Sequence, residues 1–579
     1  MSKPYQGFEP KWVSETVPPH SYRSIFKWGA MDVIKPPKES LYAMLKEAFH
    51  MTDKDFAHYT EDTGFDEVQF KLPIRLTDVQ LDALRAIVGG EFVRTDDYAR
   101  LSVAYGKTMY DILRLRRKIA ENVPDAVLYP DTKEQIEQIV AYCEQEKIPL
   151  YVYGGGSSVT RGVECVRGGV SLDMRLRFNK LVSFNETDQT VTVEAGMSGP
   201  QLEDFLQHAP EKLGAKRAYT CGHFPQSFEY SSVGGWVVTR GAGQNSTYYG
   251  CISDIVLAQE YATPIGNIKT DTCPRKACGP DLNQIMMGSE GTFGVLTHVT
   301  LKVSRWMPEN RVRYSYMFRD WATARDAARE MMQCEAGHPS VFRLSDPEET
   351  GIMLRLYGVD ETPLMGILEK MGYKHGEMCL YLGFSEGEKG FSKNCAKAMH
   401  RIARAHGGLP LTGAVTKGWE KGRFTDPYMR DTLQDFGIVM DTMECCVNWS
   451  NMEKVHADVR AVVKARPDTI CMTHMSHVYP QGANLYWIFI TRISDPEEFK
   501  AYHASILSAI QKSGASMSHH HGIGKMFAPW LEGSLGRTEY DVFRALKMHF
   551  DPDGIMNPGG TLGFDLPEEE KHFLRADIR

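Results

Sequence analysis

The 579-residue sequence contains no run of roughly 18–20 consecutive apolar residues, which excludes a helix that crosses a membrane. It has no basic excess: 66 Lys and Arg against 74 Asp and Glu leave a formal net charge of −8, whereas a general nucleic-acid binder would be basic. It lacks a Gly-Lys-Ser/Thr phosphate loop and a G-x-G-x-x-G turn opening a helix. Its twelve cysteines show no repeated short spacing, and Cys445-Cys446 is an adjacent pair rather than a ligand pattern. With no charged-then-apolar leader ahead of them they read as reduced thiols, and no metal is expected. The ending Ala576-Asp577-Ile578-Arg579 is not a peroxisomal Ser-Lys-Leu signal. The expected setting is cytoplasmic, without nucleic acid, and with at most a peripheral hold on a membrane.

What is present is organised around residues 151–161, YVYGGGSSVTR. The preceding Leu150-Tyr151-Val152-Tyr153 suits a half-buried strand. Gly154, Gly155 and Gly156 have no Cβ, so their backbone can approach another group closely. Their N–H groups, with the Ser157 and Ser158 hydroxyls, form an anion nest suited to a pyrophosphate. Strands over 170–174 and 190–196 follow, and then small-residue loops at 231–236, 239–243 and 288–295. Ahead of the nest, 125–130 reads as a strand and 132–145 as a helix capped by Asp131 or Thr132, with Ile136, Ile139 and Val140 facing a sheet.

Residues 1–115 read as a Pro- and aromatic-rich arm, from Tyr5 to Trp28, followed by helices over 41–49 and 78–88. A basic run, Arg114, Arg116, Arg117 and Lys118, reads as a solvated helix face. Residues 306–510 alternate strands (312–318, 377–384, 437–447, 484–490) with helices (323–334, 391–405, 452–464, 496–512), as in a separate α/β domain with an antiparallel sheet. Beyond 510 a final helix precedes Phe550-Asp551-Pro552-Asp553-Gly554.

Polar chemistry concentrates in five places. The sharpest is Ser518-His519-His520-His521-Gly522-Ile523-Gly524-Lys525. Three adjacent imidazoles cannot share one face, so they can address different partners. A metal tract is one meaning; an active-site turn exchanging protons near neutral pH is the better one. The others are residues 473–486 (THMSHVYPQGANLY), Tyr428-Met429-Arg430-Asp431, Phe342-Arg343-Leu344 and Thr220-Cys221-Gly222-His223-Phe224-Pro225. Singly, each Arg reads as an ion-pair partner and each His as structural.

The glycine loops, in their order, resemble the flavin-binding domain of the vanillyl-alcohol-oxidase type, in which FAD lies extended between two α+β subdomains. Joined to the triple histidine, Tyr428-Met429-Arg430-Asp431 and Tyr479-Pro480-Gln481-Gly482-Ala483, they look like the alkylglycerone-phosphate synthase family. The resemblance implies an α+β fold in four parts: an N-terminal helical region 1–115, a two-subdomain FAD-binding domain 116–305, a cap domain 306–510, and a C-terminal segment 511–579 returning to the flavin. It implies non-covalent FAD held by Gly154, Gly155, Gly156, Ser157, Ser158, Val159, Gln226, Ser227, Ser231, Ser232, Thr239, Arg240, Gly241, Ala242, Glu290, Gly291, Thr292, Gly294 and Val295.

The implied reaction is redox-neutral. A long-chain alcohol replaces the acyl chain of acyl-dihydroxyacetone phosphate, with flavin N5 trapping substrate C1. Tyr479 would exchange the C1 proton, its phenol pKa lowered by nearby cations. Arg430 would hold an oxyanion, His519, His520 and His521 would tune the site, and Arg343 and His223 would shape its wall. A homodimer and peripheral membrane contact are further expectations. One departure bears on substrate: the family reads Gly-His-Glu-Pro-Asp-Ser where this chain has Gly222-His223-Phe224-Pro225-Gln226-Ser227.

The alternatives are an FAD-dependent D-2-hydroxyacid dehydrogenase of the D-lactate type and a flavin fold kept as a binding module. The first uses a metal held by Gly-His…Asn-Leu-His and a Glu before His-Gly. Here Tyr486 follows Asn484-Leu485, and His520 precedes His521-Gly522.

Overall fold

Val170–Asp173 is buried on both faces and sits within the first sheet, paired in parallel with Ala126–Leu128 on one side and Leu150–Tyr153 on the other. The computed structural model describes residues 16–563 except 36, 58–61 and 361; the first part of the aromatic arm, Tyr5 included, and the C-terminal tetrapeptide lie outside the described residues. Thr132 caps the helix Lys133–Glu146 by accepting from Gln135 N–H, and its Ile136, Ile139 and Val140 pack on the sheet.

The sheet starts earlier in the chain than expected. Val93–Arg94 pairs antiparallel with Ala126–Leu128, and helix Asp78–Val88 buries Leu81, Leu84 and Val88 in the same core. The far end of the chain returns to it as well: Leu150 N–H donates to Ile555 O and Asn557 N–H to Leu150 O, each at 2.8 Å. A five-stranded antiparallel sheet follows, in the order Leu181–Asn185, Thr190–Glu194, Val295–Lys302, Val256–Thr263, Gly266–Lys269.

The third sheet has seven antiparallel strands in the order Leu409–Leu411, Val312–Phe318, Cys379–Ser385, Val341–Ser345, Ile470–Tyr479, Gly482–Arg492, Ile438–Asn448. Alternation along its strands separates two faces. Met443, Cys445, Cys471, Met475, Leu485 and Trp487 face a core shared with helices Trp321–Gln333, Lys389–Ala405, Met452–Ala465 and Pro496–Lys512. Met440, Thr442, Met472, His474, Tyr486 and Ile488 face a cavity instead. Val341–Ser345 and Ile470–Tyr479 are strands that the hydrophobic pattern did not reveal, because their cavity-facing positions carry Arg343, His474 and Ser476.

The basic run is a correction. It forms the helix Met109–Arg116, and only Arg117 and Lys118 beyond it are exposed. The Arg114 side chain is 2% exposed and meets Asp111 at 2.7 Å and Glu164 at 2.8 Å. Arg116 meets Asp435 at 2.7 Å, and Arg23 reaches the same carboxylate at 2.8 Å. The partners come from distant parts of the sequence, so a solvated face and a buried hub look alike until the chain is folded. The hub ties the N-terminal segment, the glycine-loop subdomain and the large sheet together.

Candidate active site

A cavity of about 760 Å³ lies between the glycine-rich turns and the polar face of the large sheet, within the usual range for ligand pockets, roughly 300–1,000 Å³. One wall consists of Gly154 to Val159, with Ser231, Ser232, Gly241, Ala242 and Gly291. The turns pack so closely that side chains are excluded: a Cβ on Gly155 would lie 2.4 Å from Tyr230 O, and Gly156 has φ +68°. Among the described residues, none of the N–H groups from Gly154 to Val159 donates to another group of the protein. Six successive free donors on a side-chain-free wall fit the pyrophosphate of a dinucleotide. His223 adds a buried imidazole with neither nitrogen bonded, packed on Trp236 at 4.6 Å and held neutral by burial at about 3. These residues fit FAD.

Of the residues expected to hold the cofactor, Gln226, Ser227, Thr239, Glu290 and Gly294 also line this cavity. Three do not. Arg240, at φ 53°, turns its side chain to solvent and Gln284; the Thr292 hydroxyl donates to Ser289 O; Val295 is buried in the core of the first sheet. The Glu290 carboxylate serves a turn rather than a ligand, accepting from Ile523 N–H at 3.0 Å and Gly524 N–H at 2.9 Å.

The opposite wall carries His520, His521, Arg343, Arg430 and Tyr486. The histidine turn is built by Glu444, which no sequence pattern singles out. This buried carboxylate accepts from His519 N–H at 2.8 Å, from His520 and His521 N–H at 3.1 Å, and from the Ser518 hydroxyl at 2.8 Å. Burial alone would raise its carboxyl, but His521, His519 and these N–H donors outweigh it and hold it below the usual range. Glu444, His519 and His520 could together present three metal-ligand atoms. However, both Glu444 oxygens are already surrounded by N–H donors, which leaves that set a poor cation site. Burial lowers all three histidines of the turn, so they are neutral at pH 7.

The expected proton-exchanging phenol is a second correction. Strand Ile470–Tyr479 bulges between Ser476 and Val478, with His477 at φ 50°. Beyond the bulge Tyr479 stands outside the cavity lining, its hydroxyl 2.8 Å from His519 Nε2 and 3.0 Å from Cys251 Sγ. His519 is likewise behind the wall. Burial and Cys251 push the Tyr479 phenol up, opposite to the expected lowering.

The phenol inside the cavity is Tyr486. Strand register sets Glu444, Tyr486 and His474 in one row across the sheet. The Tyr486 ring stacks on His474 at 5.0 Å and on His520 at 6.0 Å. Burial raises it to about 12 against the pull of the Thr442 hydroxyl and Arg430. The period-two pattern of Tyr486, Ile488 and Ile490 was the signal that could have found it.

The two site arginines are already engaged. Arg430 donates to Met440 O at 3.1 Å and Lys107 O at 3.0 Å and pairs with Asp441 at 3.1 Å. Arg343 pairs with Glu349 and lies 3.0 Å from His474 Nε2. Burial would raise Glu349, but His474 and Arg343 hold it at about 2.

Parallel and antiparallel subdomains joined at a free-donor glycine wall, facing a third sheet, define a flavoprotein of the FAD-linked oxidase class. Residues 124–272 match the family model "FAD binding domain" and residues 307–561 match "FAD linked oxidases, C-terminal domain". The chain is 29% identical over 517 residues to an alkyldihydroxyacetonephosphate synthase of Dictyostelium discoideum, covering 86% of this chain and 82% of that one. A solved structure of an alkyldihydroxyacetonephosphate synthase superposes with a TM-score of 0.76 at 26% identity, over 91% of this chain and 93% of that one. A mitochondrial D-lactate dehydrogenase [cytochrome] of Arabidopsis thaliana is more distant, 26% identical over 450 residues, 76% of this chain and 74% of that one. The chain carries both domains of the FAD-linked oxidases, is an FAD-using enzyme, and is similar over most of its length to alkyldihydroxyacetonephosphate synthases.

Proposed function

We propose that the chain replaces the fatty acyl group of acyl-dihydroxyacetone phosphate by a long-chain alcohol, as an alkylglycerone-phosphate synthase. The observation that carries this reading is one continuous cavity. It is lined by the glycine wall, Tyr486, the His520-His521 turn and Arg430, and also by one apolar cluster of Leu41, Met44, Ile352, Leu356, Leu433 and Ile490. An apolar lining of this kind suits a long alkyl chain, which a small 2-hydroxy acid lacks.

In the reaction, the bond between substrate C1 and the ester oxygen breaks and the fatty acid leaves as a carboxylate. A new bond joins C1 to the alcohol oxygen, whose proton is released, and no electrons are gained or lost overall. FAD on the glycine wall would supply the ring that lets C1 exchange substituents without net redox change. Tyr486, protonated at rest, would hand its proton to the neutral His520 or His521 beside it and take the C1 proton in its place. The Glu444 clamp keeps those imidazoles in place, and Arg430, fixed by Asp441 and two carbonyls, orients the oxygen of the departing group. Division of the chain near residues 115, 305 and 510, a homodimer and a peripheral membrane contact belong to the same reading.

Because the reaction is redox-neutral, D-lactate or D-2-hydroxyglutarate added without oxygen should leave the flavin yellow. Rapid bleaching by either acid would favour the dehydrogenase and end this reading.

A further inference from the structure

Three arginines line the cavity, and two of them are paired: Arg343 with Glu349 and Arg430 with Asp441. Arg423 is only 8% exposed, yet among the described residues it has no carboxylate partner. Its Nη1 donates to Asn245 Oδ1 at 3.0 Å. The Asn245 amide donates in turn to Glu386, and that carboxylate belongs to Arg311, 2.5 Å away. Glu420 is likewise held by Arg311 and by Arg313 at 2.6 Å.

Around the guanidinium stand the rings of Phe424 at 4.7 Å, Phe224 at 5.4 Å and Trp419 at 5.9 Å. They shed water without supplying a counter-charge. Gln226 donates to Arg423 O, and Gln244 donates to Gln226 while its own Oε1 has no partner; the nearby carboxylate Asp426, also on the cavity, is paired with Lys35. Burial, helped by the neighbouring Arg311, pulls Arg423 down to about 10 against the more distant pull of Glu420 and Glu386, which are already held by arginines. A guanidinium fork left unpaired in a ligand cavity is built for an oxyanion.

We propose that Arg423 is an anion-binding subsite of the cavity and takes the phosphate group of the substrate. The proposal rests on the reading of the substrate as a phosphate-bearing lipid; a phosphate of bound FAD is the other source of the same chemistry.

The test uses FAD-loaded protein and two probes that do not react, glycerol 3-phosphate and glycerol, followed by tryptophan fluorescence and flavin absorbance. The wild-type protein should respond saturably to the phosphate and not to glycerol. Arg423→Gln should keep its flavin and lose at least about tenfold in affinity, the size of a lost charge-assisted hydrogen bond, and Arg423→Lys should recover part of it. Unchanged affinity in flavin-replete Arg423→Gln, or no wild-type response, overturns the proposal. Loss of flavin with an intact phosphate response in the loaded fraction also overturns it, by giving the charge to the cofactor. If Arg423→Gln does not fold, Arg423→Lys decides: unchanged affinity without the fork overturns the subsite. An Arg423-dependent phosphate response without ether product would uphold the subsite while ending the proposed reaction.

Discussion

Tyr479 and Tyr486 carry the same hydroxyl on adjoining strands, and their surroundings assign them different work. Tyr486 faces the cavity between His474 and His520, whereas Tyr479 touches His519 and Cys251 behind the wall. Tyr486→Phe should keep flavin and fold but lower product formation at least ~10²-fold, the usual scale of a lost acid–base group. Tyr479→Phe should cost much less, with its effect confined to the His519 environment. Equal losses in the two variants would show that position relative to the cavity does not decide the role. The choice was legible only in part from the sequence. Both tyrosines lie in the stretch 473–486, and the bulge at His477 even returns Tyr479 to the Tyr486 face of the sheet; what separates them is the position of Tyr479 at the strand end against His519 and Cys251, which no local pattern announces.

Buried histidines make a separate residue-scale prediction about pH. His503 packs against Phe499 and Phe527, and burial lowers it to about 3. Its folded value lies below the ordinary unfolded one near 6.5, so the unfolded chain takes up the proton first. The stability it lends is complete above pH 6.5 and is lost as pH falls toward 3, by about 1.4 kcal/mol per pH unit. Urea unfolding at pH 7.5, 6.5 and 5.5 should show a His503-dependent loss of about 1.4 kcal/mol in total, which His503→Phe removes. An unchanged loss would mean that His503 charges within the fold.

Among the elements, the histidine turn depends on a strand. Glu444, on Ile438–Asn448, gathers the N–H groups of His519, His520 and His521, so the turn's shape is set from across the sheet. Glu444→Gln keeps the volume but gives up one acceptor, leaving buried donors unmet. It should cost about 1–3 kcal/mol in urea unfolding and lower activity while flavin stays bound. Full activity in a folded Glu444→Gln protein would remove the clamp from the account. The triple histidine was easy to see in the sequence, but its clamp was not: an acid between Met443 and Cys445 looks like any other strand residue until register pairs it with Tyr486. Helix Met109–Arg116 shows the same limit, since the carboxylates that bury its arginines come from positions 164 and 435.

At the scale of the molecule, the flavin half was the most legible part, because closely approaching backbone demands glycine wherever it occurs. The large sheet was less so, since its cavity-facing positions break the hydrophobic alternation that marks a strand. What joins the two halves is the continuous cavity, lined both by the free-donor wall and by the apolar cluster around Leu41, Met44 and Leu433. Among the described residues no helix is long and apolar enough to cross a membrane.

The most direct measurement is incubation of the FAD-loaded protein with labelled hexadecanol and palmitoyl-dihydroxyacetone phosphate, without any electron acceptor, followed by lipid extraction. The account predicts labelled ether lipid, an equal amount of released palmitate, and flavin that remains oxidised. Palmitate release with no label in the lipid, or a need for an added acceptor, would contradict it.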